Sequence, residues 1–172
     1  MQTPGGGALL SAMEKEDAEA MAALRAATRV SFDRLDSDGC MSTNDTVTLM
    51  ASGASGITPT LEDFTEALTR ACTDLAMQLL ADAEGADHEI AITTLHAASE
   101  DEAVEVSRSV ARSNLFKAAI FGNDPNWGRI LMAMGSAGVE FDPARVAVTC
   151  GGITVCRFGV AAAFVAPPLA LC

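Results

Sequence analysis

Two short polar clusters hold the side chains of this sequence that are best suited to chemistry. They are Ser42-Thr43-Asn44-Asp45-Thr46 and Asn123-Asp124-Pro125-Asn126-Trp127-Gly128-Arg129, and the second contains the only tryptophan. Each cluster crowds donors, acceptors and turn formers into a few residues, in a chain of which 49% is hydrophobic. Clusters of this kind either cap the end of an element or line a binding site.

The second cluster contains a helix start signal at Asp124-Pro125. A carboxylate there accepts from backbone N–H groups, and the proline stands where no N–H is needed. We therefore predict a helix cap at Asp124. A cap at Asp124 does not explain Asn126 and Arg129. These two residues lie three positions apart on one face, beside a helix N-terminus that favours an anion. A ligand-binding role in addition to the cap stays open for this pair.

The other polar groups also have two interpretations each. Ser42 to Thr46 is either a polar lead-in to a strand, with hydroxyls bonding local backbone, or part of a site. A nucleophilic hydroxyl needs an adjacent base, and no histidine lies in this neighbourhood. Asp82 and Glu84 close a long predicted helix, where each exposed acid opposes the macrodipole at a cost of about 0.3–1 kcal/mol. Solvated surface acids are the simpler interpretation, but unfavourable placement also indicates function.

Composition excludes several classes of protein. Eleven basic against 23 acidic residues give a net charge of -12, which argues against a nucleic-acid partner. The five cysteines lack Cys-x-x-Cys spacing and His88 and His96 have no ligand-spaced cysteine partners, so we expect neither structural zinc nor a disulfide framework. No apolar run reaches the length of a membrane span. These features predict a soluble cytoplasmic protein with reduced thiols.

The polar clusters must be positioned by a mixture of helices and strands. Apolar spacing and capping residues predict helices at Glu14 to about Val30, Thr60 to Gly85, Ser99 to about Ala111, Asn114 to Phe121, and Asp124 to Gly135. Alternation predicts strands at Val47 to Ala51, Glu89 to Leu95, Arg145 to Cys150 and Ile153 to Arg157, with a two-residue Gly151-Gly152 turn between the last two. The two histidines would then be ordinary strand-end residues. Strict βαβ alternation is absent, which predicts an α+β layered sheet.

Taken in order, the motifs resemble the ornithine acetyltransferase family, the glutamate N-acetyltransferases of arginine biosynthesis. The resemblance rests on Ala23-Leu24-Arg25, Phe32-Asp33-Arg34, Asp38-Gly39, Ser42 to Thr46, Asp82-Ala83-Glu84-Gly85 and Phe121 to Arg129. It covers roughly residues 20–159. We accordingly divide the chain into a divergent segment 1–13, a region 14–159 similar to the family's β chain, and an apolar tail 160–172.

The resemblance implies a reaction and an assembly. Family precursors cut themselves before a threonine, and the α and β chains stay together, commonly as α2β2. The new terminal threonine takes acetyl from N2-acetylornithine and passes it to glutamate, with its own amine as base. Acetyl-CoA is an additional acetyl donor in bifunctional members, and no other cofactor or metal is implied.

The resemblance also assigns roles to residues of this chain. Glu84 matches the family glutamate that contacts substrate, through a cationic amine. The residues expected to shape the surroundings of the site are Ser42, Thr43, Asn44, Asp45, Asp124, Asn126 and Arg129. No threonine stands where the nucleophile belongs, and the oxyanion hole belongs to the α side, so no catalytic residue is assigned and we expect the chain alone to be inactive. The alternatives are a non-catalytic amino-acid-binding or assembly module, and a gene fragment with wrong boundaries.

Overall fold

The computed structural model describes residues 17–163 and combines helices with an antiparallel sheet. The helices are α1 (Asp17–Arg29), α2 (Leu61–Ala81), α3 (Glu100–Arg112), α4 (Asn114–Phe121) and α5 (Trp127–Gly135), and the strands are β1 (Ala147–Cys150), β2 (Ile153–Arg157) and β3 (Val160–Ala161). Short 3-10 helices lie at Phe32–Arg34 and Pro143–Arg145. The predicted α+β class is confirmed. The chain forms two compact units that divide after Ala86.

The first unit is built on the pairing of α1 with α2. Its core contains Leu24, Ala27 and Cys72, and partly buried apolar side chains pack against it, namely Phe32, Val47, Leu49 and Leu68. The Thr60 hydroxyl accepts from the backbone N–H of Asp63 at 3.1 Å, so the predicted cap is confirmed.

The two predicted strands at Val47 to Ala51 and Glu89 to Leu95 are wrong. Both segments lie outside the hydrogen-bonded sheet of the described residues. In the first segment the alternation matches burial in part, because Val47 and Leu49 are half-buried and Thr48 and Met50 are exposed, whereas Ala51 is exposed too. A strand also needs a neighbour that completes its backbone hydrogen bonds, and no residue pattern within one segment supplies that neighbour.

The second unit begins with three consecutive helices. Ser99 caps α3, as predicted, and Ser113 ends α3 and caps α4 by accepting from the N–H of Phe116. The helices enclose a core of Val110, Phe116 and Ala133. A hydroxyl hydrogen bond ties α3 to α5, with Ser109 Oγ donating to the carbonyl of Ala133 at 2.6 Å.

Helix α5 also covers the three-stranded sheet, whose order is β1-β2-β3. The buried sheet residues Val148, Val155 and Cys156 pack against a partly buried apolar set that includes Trp127 and Leu131. A helix layer on a sheet layer is how each element buries its apolar face.

The predicted hairpin is confirmed. Its turn residues Gly151 and Gly152 have φ of 54° and 80°, the pair of positive values that a type I′ turn requires. Strand β1 begins at Ala147 rather than Arg145, because Pro143–Arg145 is a 3-10 helix. No helix within residues 17–163 is long and apolar enough to cross a membrane.

Candidate functional site

Glu84 lies in a tight turn just beyond the end of α2. The helix ends at Ala81, earlier than the predicted stop at Gly85, and the N–H of Ala86 then donates to the carbonyl of Ala83 at 3.1 Å. Gly85 takes φ +71°, which allows this turn. The Glu84 side chain is exposed, and its carboxylate has no hydrogen bond or ion pair with any described residue. The turn thus presents a carboxylate whose oxygens can bind a cation.

The Ser42 to Asp45 segment forms a local polar turn. Ser42 Oγ accepts from the backbone N–H groups of Asn44 at 3.2 Å and Asp45 at 3.0 Å. Thr43 Oγ1 donates to Asn44 Oδ1 at 3.1 Å, and all four side chains are exposed. The predicted bonding of hydroxyls to local backbone is confirmed, although no strand follows. A role for these residues around a site stays a prediction.

In the second cluster, Asn123 and Asp124 end the preceding helix. Asn123 adopts a left-handed φ of 51°. Its N–H donates to the carbonyl of Ile120 and the N–H of Asp124 donates to that of Ala119, both at 2.9 Å. These two bonds form the Schellman motif, which satisfies carbonyl groups at a helix C-terminus. The backbone of Asp124 is therefore committed to α4.

Helix α5 is capped by Asn126, so the predicted cap at Asp124 is wrong. Asn126 Oδ1 accepts from the N–H of Arg129 at 3.2 Å, and Asn126 Nδ2 donates to Asp124 Oδ2 at 3.0 Å. Because Asp124 belongs to the end of α4, the chain needs two further residues before it turns into α5. Asp124 instead holds the amide of the true cap.

Arg129 connects the two helices. Its Nη1 donates to the carbonyl of Leu115 in the first turn of α4 at 2.8 Å. The neighbouring Trp127 packs on the core of the sheet. The structure thus joins Asp124, Asn126 and Arg129 in one network between α4 and α5, whose observed contacts are structural. Within the described residues, no hydrogen bond joins the Ser42 to Asp45 segment to the Glu84 turn.

Among the described residues, no hydroxyl or thiol forms a hydrogen bond with a histidine, so none is a nucleophile activated by a histidine. His88 Nδ1 lies 2.6 Å from Asp87 Oδ1, and His96, at a left-handed φ of 62°, bonds no described residue. Neither is a strand-end residue, contrary to prediction, since the flanking strand is absent. Burial raises the pKa of the Cys72 and Cys150 thiols, which keeps them protonated near neutral pH.

A groove in the second unit was not predicted. It has a volume of about 340 Å3 and lies between α3 and the C-terminal end of α5. Arg108 and Arg112 line it together with Glu105 and several serines. The only signal in the sequence is the spacing of the two arginines, one helical turn apart, which is also common on solvated helix faces.

Comparison with known proteins identifies the family. A sequence model of the ArgJ family matches residues 7–168. The chain belongs to the ArgJ family. The resemblance to ornithine acetyltransferases is thereby confirmed.

Relatives and a solved structure of the ArgJ family agree with this assignment. The chain is 57% identical over 137 residues to the arginine biosynthesis bifunctional protein ArgJ of Streptomyces coelicolor, and 59% identical over 138 residues to that of Thermobifida fusca. Each match covers 80% of this chain but 36% of the relative, so the chain spans about a third of their length. The crystal structure of the Bacillus halodurans ArgJ protein matches 95% of this chain and 76% of that chain, with a TM-score of 0.80 and 33% identity.

Proposed function

We propose that this chain forms the β-side part of an enzyme that transfers acetyl from N2-acetylornithine to glutamate in arginine biosynthesis. The observation that carries the proposal is the identity of 57–59% to proteins named for bifunctional arginine biosynthesis, sustained over 80% of the chain. Acetyl-CoA is a second acetyl donor for bifunctional members. The working enzyme is an α2β2 assembly in the cytoplasm, in which an α chain covers this part.

Glu84 binds the cationic amine of ornithine in this proposal. Its carboxylate is exposed and has no partner among the described residues, so binding an amine breaks no existing contact. A charge-assisted hydrogen bond between ammonium and carboxylate contributes about 1.5–3 kcal/mol. Binding of a cation also offsets the unfavourable position of an acid beyond the C-terminus of α2.

The nucleophile comes from outside residues 17–163. No hydroxyl or thiol in that range bonds a histidine, and burial keeps two of the thiols protonated. A terminal threonine needs no histidine, because its own amine removes the hydroxyl proton. The polar turn from Ser42 to Asp45 and the network of Asp124, Asn126 and Arg129 shape the surroundings of that threonine. The division into segments 1–13, 14–159 and 160–172 belongs to the same proposal.

Calorimetry on the 172-residue chain tests the role of Glu84. We expect Glu84→Gln to weaken ornithine binding roughly 10- to 150-fold, the factor that corresponds to losing about 1.5–3 kcal/mol. Asp82→Asn is the matched control, since it removes an equal charge two residues away and should leave binding within about twofold. Absence of ornithine binding to the unchanged chain, or equal weakening in both variants, would contradict the proposed contact.

Mass spectrometry tests the origin of the nucleophile. The chain is incubated with N2-acetylornithine and its intact mass is followed over time. We expect no stable gain of an acetyl group and no transfer to glutamate. An acetyl group mapped to a serine, threonine or cysteine within residues 17–163 would refute the claim that the nucleophile lies elsewhere.

A further inference from the structure

The dipeptide Asp38-Gly39 places a side-chain carboxyl group beside an unhindered backbone nitrogen. Asp38 is the only aspartate or asparagine of the chain that is followed by glycine. Because glycine has no Cβ, its nitrogen is open to approach and its backbone adopts conformations that other residues avoid. A bond between Asp38 Cγ and Gly39 N closes a succinimide ring, so the dipeptide contains both partners of an intramolecular reaction.

The structure brings the carboxyl group close to that nitrogen. Asp38 is exposed, and Gly39 has a left-handed φ of 78°. Asp38 Oδ1 accepts from the backbone N–H of Cys40 at 2.7 Å. This hydrogen bond forms an Asx-turn, which folds the carboxyl group back over the Gly39 peptide. Holding two reacting groups near each other lowers the entropy cost of their reaction.

The backbone nitrogen of Gly39 is also free to react. Its N–H donates to no acceptor among residues 17–163. Other aspartates lack this freedom for two different reasons. Within α2, the N–H of Leu75, which follows Asp74, is held by the helix. Asp124 and Asp142 each precede a proline, whose nitrogen carries no hydrogen.

From these observations we propose that Asp38 is a modification site, which converts to isoaspartate through a succinimide with water as the only co-reactant. Gly39 N attacks Asp38 Cγ, a C–N bond forms, and the carboxyl hydroxyl leaves with the amide proton as water. Water then adds to the backbone carbonyl carbon of Asp38 and breaks its bond to Gly39 N. The main chain afterwards runs through Cβ and Cγ, and the former backbone carbonyl becomes a free carboxylate. Nothing is oxidised or reduced.

Conversion removes the hydrogen bond that orders this turn. The carboxyl group that accepted from the N–H of Cys40 becomes part of the main chain, which is then longer by a methylene group. The polar turn from Ser42 to Asp45 begins four residues after Asp38. Conversion therefore shifts the surroundings of the acetyl-transfer site, a consequence that rests on the proposed function, whereas the modification itself does not.

Mass spectrometry of the aged 172-residue chain tests the proposal. The chain is incubated in neutral buffer, and its peptides are fragmented by electron transfer, which distinguishes isoaspartate from aspartate at equal mass. We expect isoaspartate at Asp38 to rise with time, preceded by a species that is lighter by one water. Asp45 is the internal control, since it is also exposed and the N–H of Thr46 also has no partner in the described part of the chain. Thr46 has a branched Cβ that crowds its nitrogen, so Asp45 should convert far more slowly.

Two variants test the cause of the reaction. Gly39→Ala adds a Cβ beside the attacking nitrogen and should slow the conversion of Asp38 several-fold. Asp38→Glu keeps the charge but requires a larger ring, so it should show no conversion at this position. Absence of isoaspartate at Asp38 after prolonged incubation would overturn the proposal, as would equal conversion of Asp38 and Asp45 or an unchanged rate in Gly39→Ala. None of these results depends on ornithine binding or acetyl transfer.

Discussion

Replacing Asn126 by alanine removes the side chain that starts α5. The Oδ1 cap to the N–H of Arg129 is lost, as is the hydrogen bond from Nδ2 to Asp124. An N-cap contributes about 1 kcal/mol, within a range of about 0.5–2. The hydrogen bond to Asp124 is exposed, and we assign it about 0.5 kcal/mol. The free energy of unfolding should therefore fall by about 1–2 kcal/mol.

Two further variants divide this loss between its causes. Asn126→Ser keeps a hydroxyl that caps the helix but loses the bond to Asp124, so it should cost about 0.5 kcal/mol. Asp124→Ala removes the same bond from the other side, while its N–H still donates to the carbonyl of Ala119. It should also cost about 0.5 kcal/mol, because the Schellman motif that ends α4 needs no side chain at this position.

Urea unfolding followed by the fluorescence of Trp127 measures these differences. Trp127 is the only tryptophan, directly follows the cap and packs on the core of the sheet, so its emission reports on α5. A shift of the midpoint at constant slope gives the change in stability. If Asp124→Ala costs more than Asn126→Ala, Asp124 is the cap and the helix start deduced from this structure is wrong.

Two further predictions concern a close backbone contact and the thiols. Gly159→Ala should cost about 2 kcal/mol or more in urea unfolding, because a Cβ there would lie 2.6 Å from the Pro143 carbonyl oxygen at φ +70°. Gly138→Ala, at φ +71° with open space around it, should lose only about 1–2 kcal/mol, and equal losses would exclude the contact as a cause. At pH 8, iodoacetamide should modify exposed Cys40 well before Cys72 and Cys150, whose raised pKa values leave less thiolate. Peptide mass mapping gives the rates, and equal rates in the folded chain would contradict the burial of the two thiols.

Local signals predicted the elements whose causes lie within a few residues. The bounds of α4, the Thr60 cap and the Gly151-Gly152 turn follow from side chains and φ preferences at those positions. The cap of α5 was placed two residues early. The cap lies later because of the way in which α4 ends: in its Schellman motif the N–H of Asp124 donates to a carbonyl of α4.

The predicted strands failed for a related reason. In the segment from Val47 to Ala51 the sequence identified two of the side chains that turn inward, because apolar side chains leave water wherever the backbone allows it. Whether an extended segment joins a sheet depends on a second segment with free backbone groups alongside it. That condition is not encoded in the alternation itself.

The order of motifs along the chain determined the family and singled out Glu84, because a catalytic scaffold requires particular residues at particular positions. Only the tertiary structure decided that Glu84 is an exposed carboxylate without a partner among residues 17–163, and that Asp124, Asn126 and Arg129 are hydrogen-bonded between two helices. It alone formed the groove with Arg108 and Arg112, since the opposite wall is brought up by the packing of α5 against α3. Residue types fix which bonds a side chain can make, whereas the neighbours supplied by the fold decide which of them it makes.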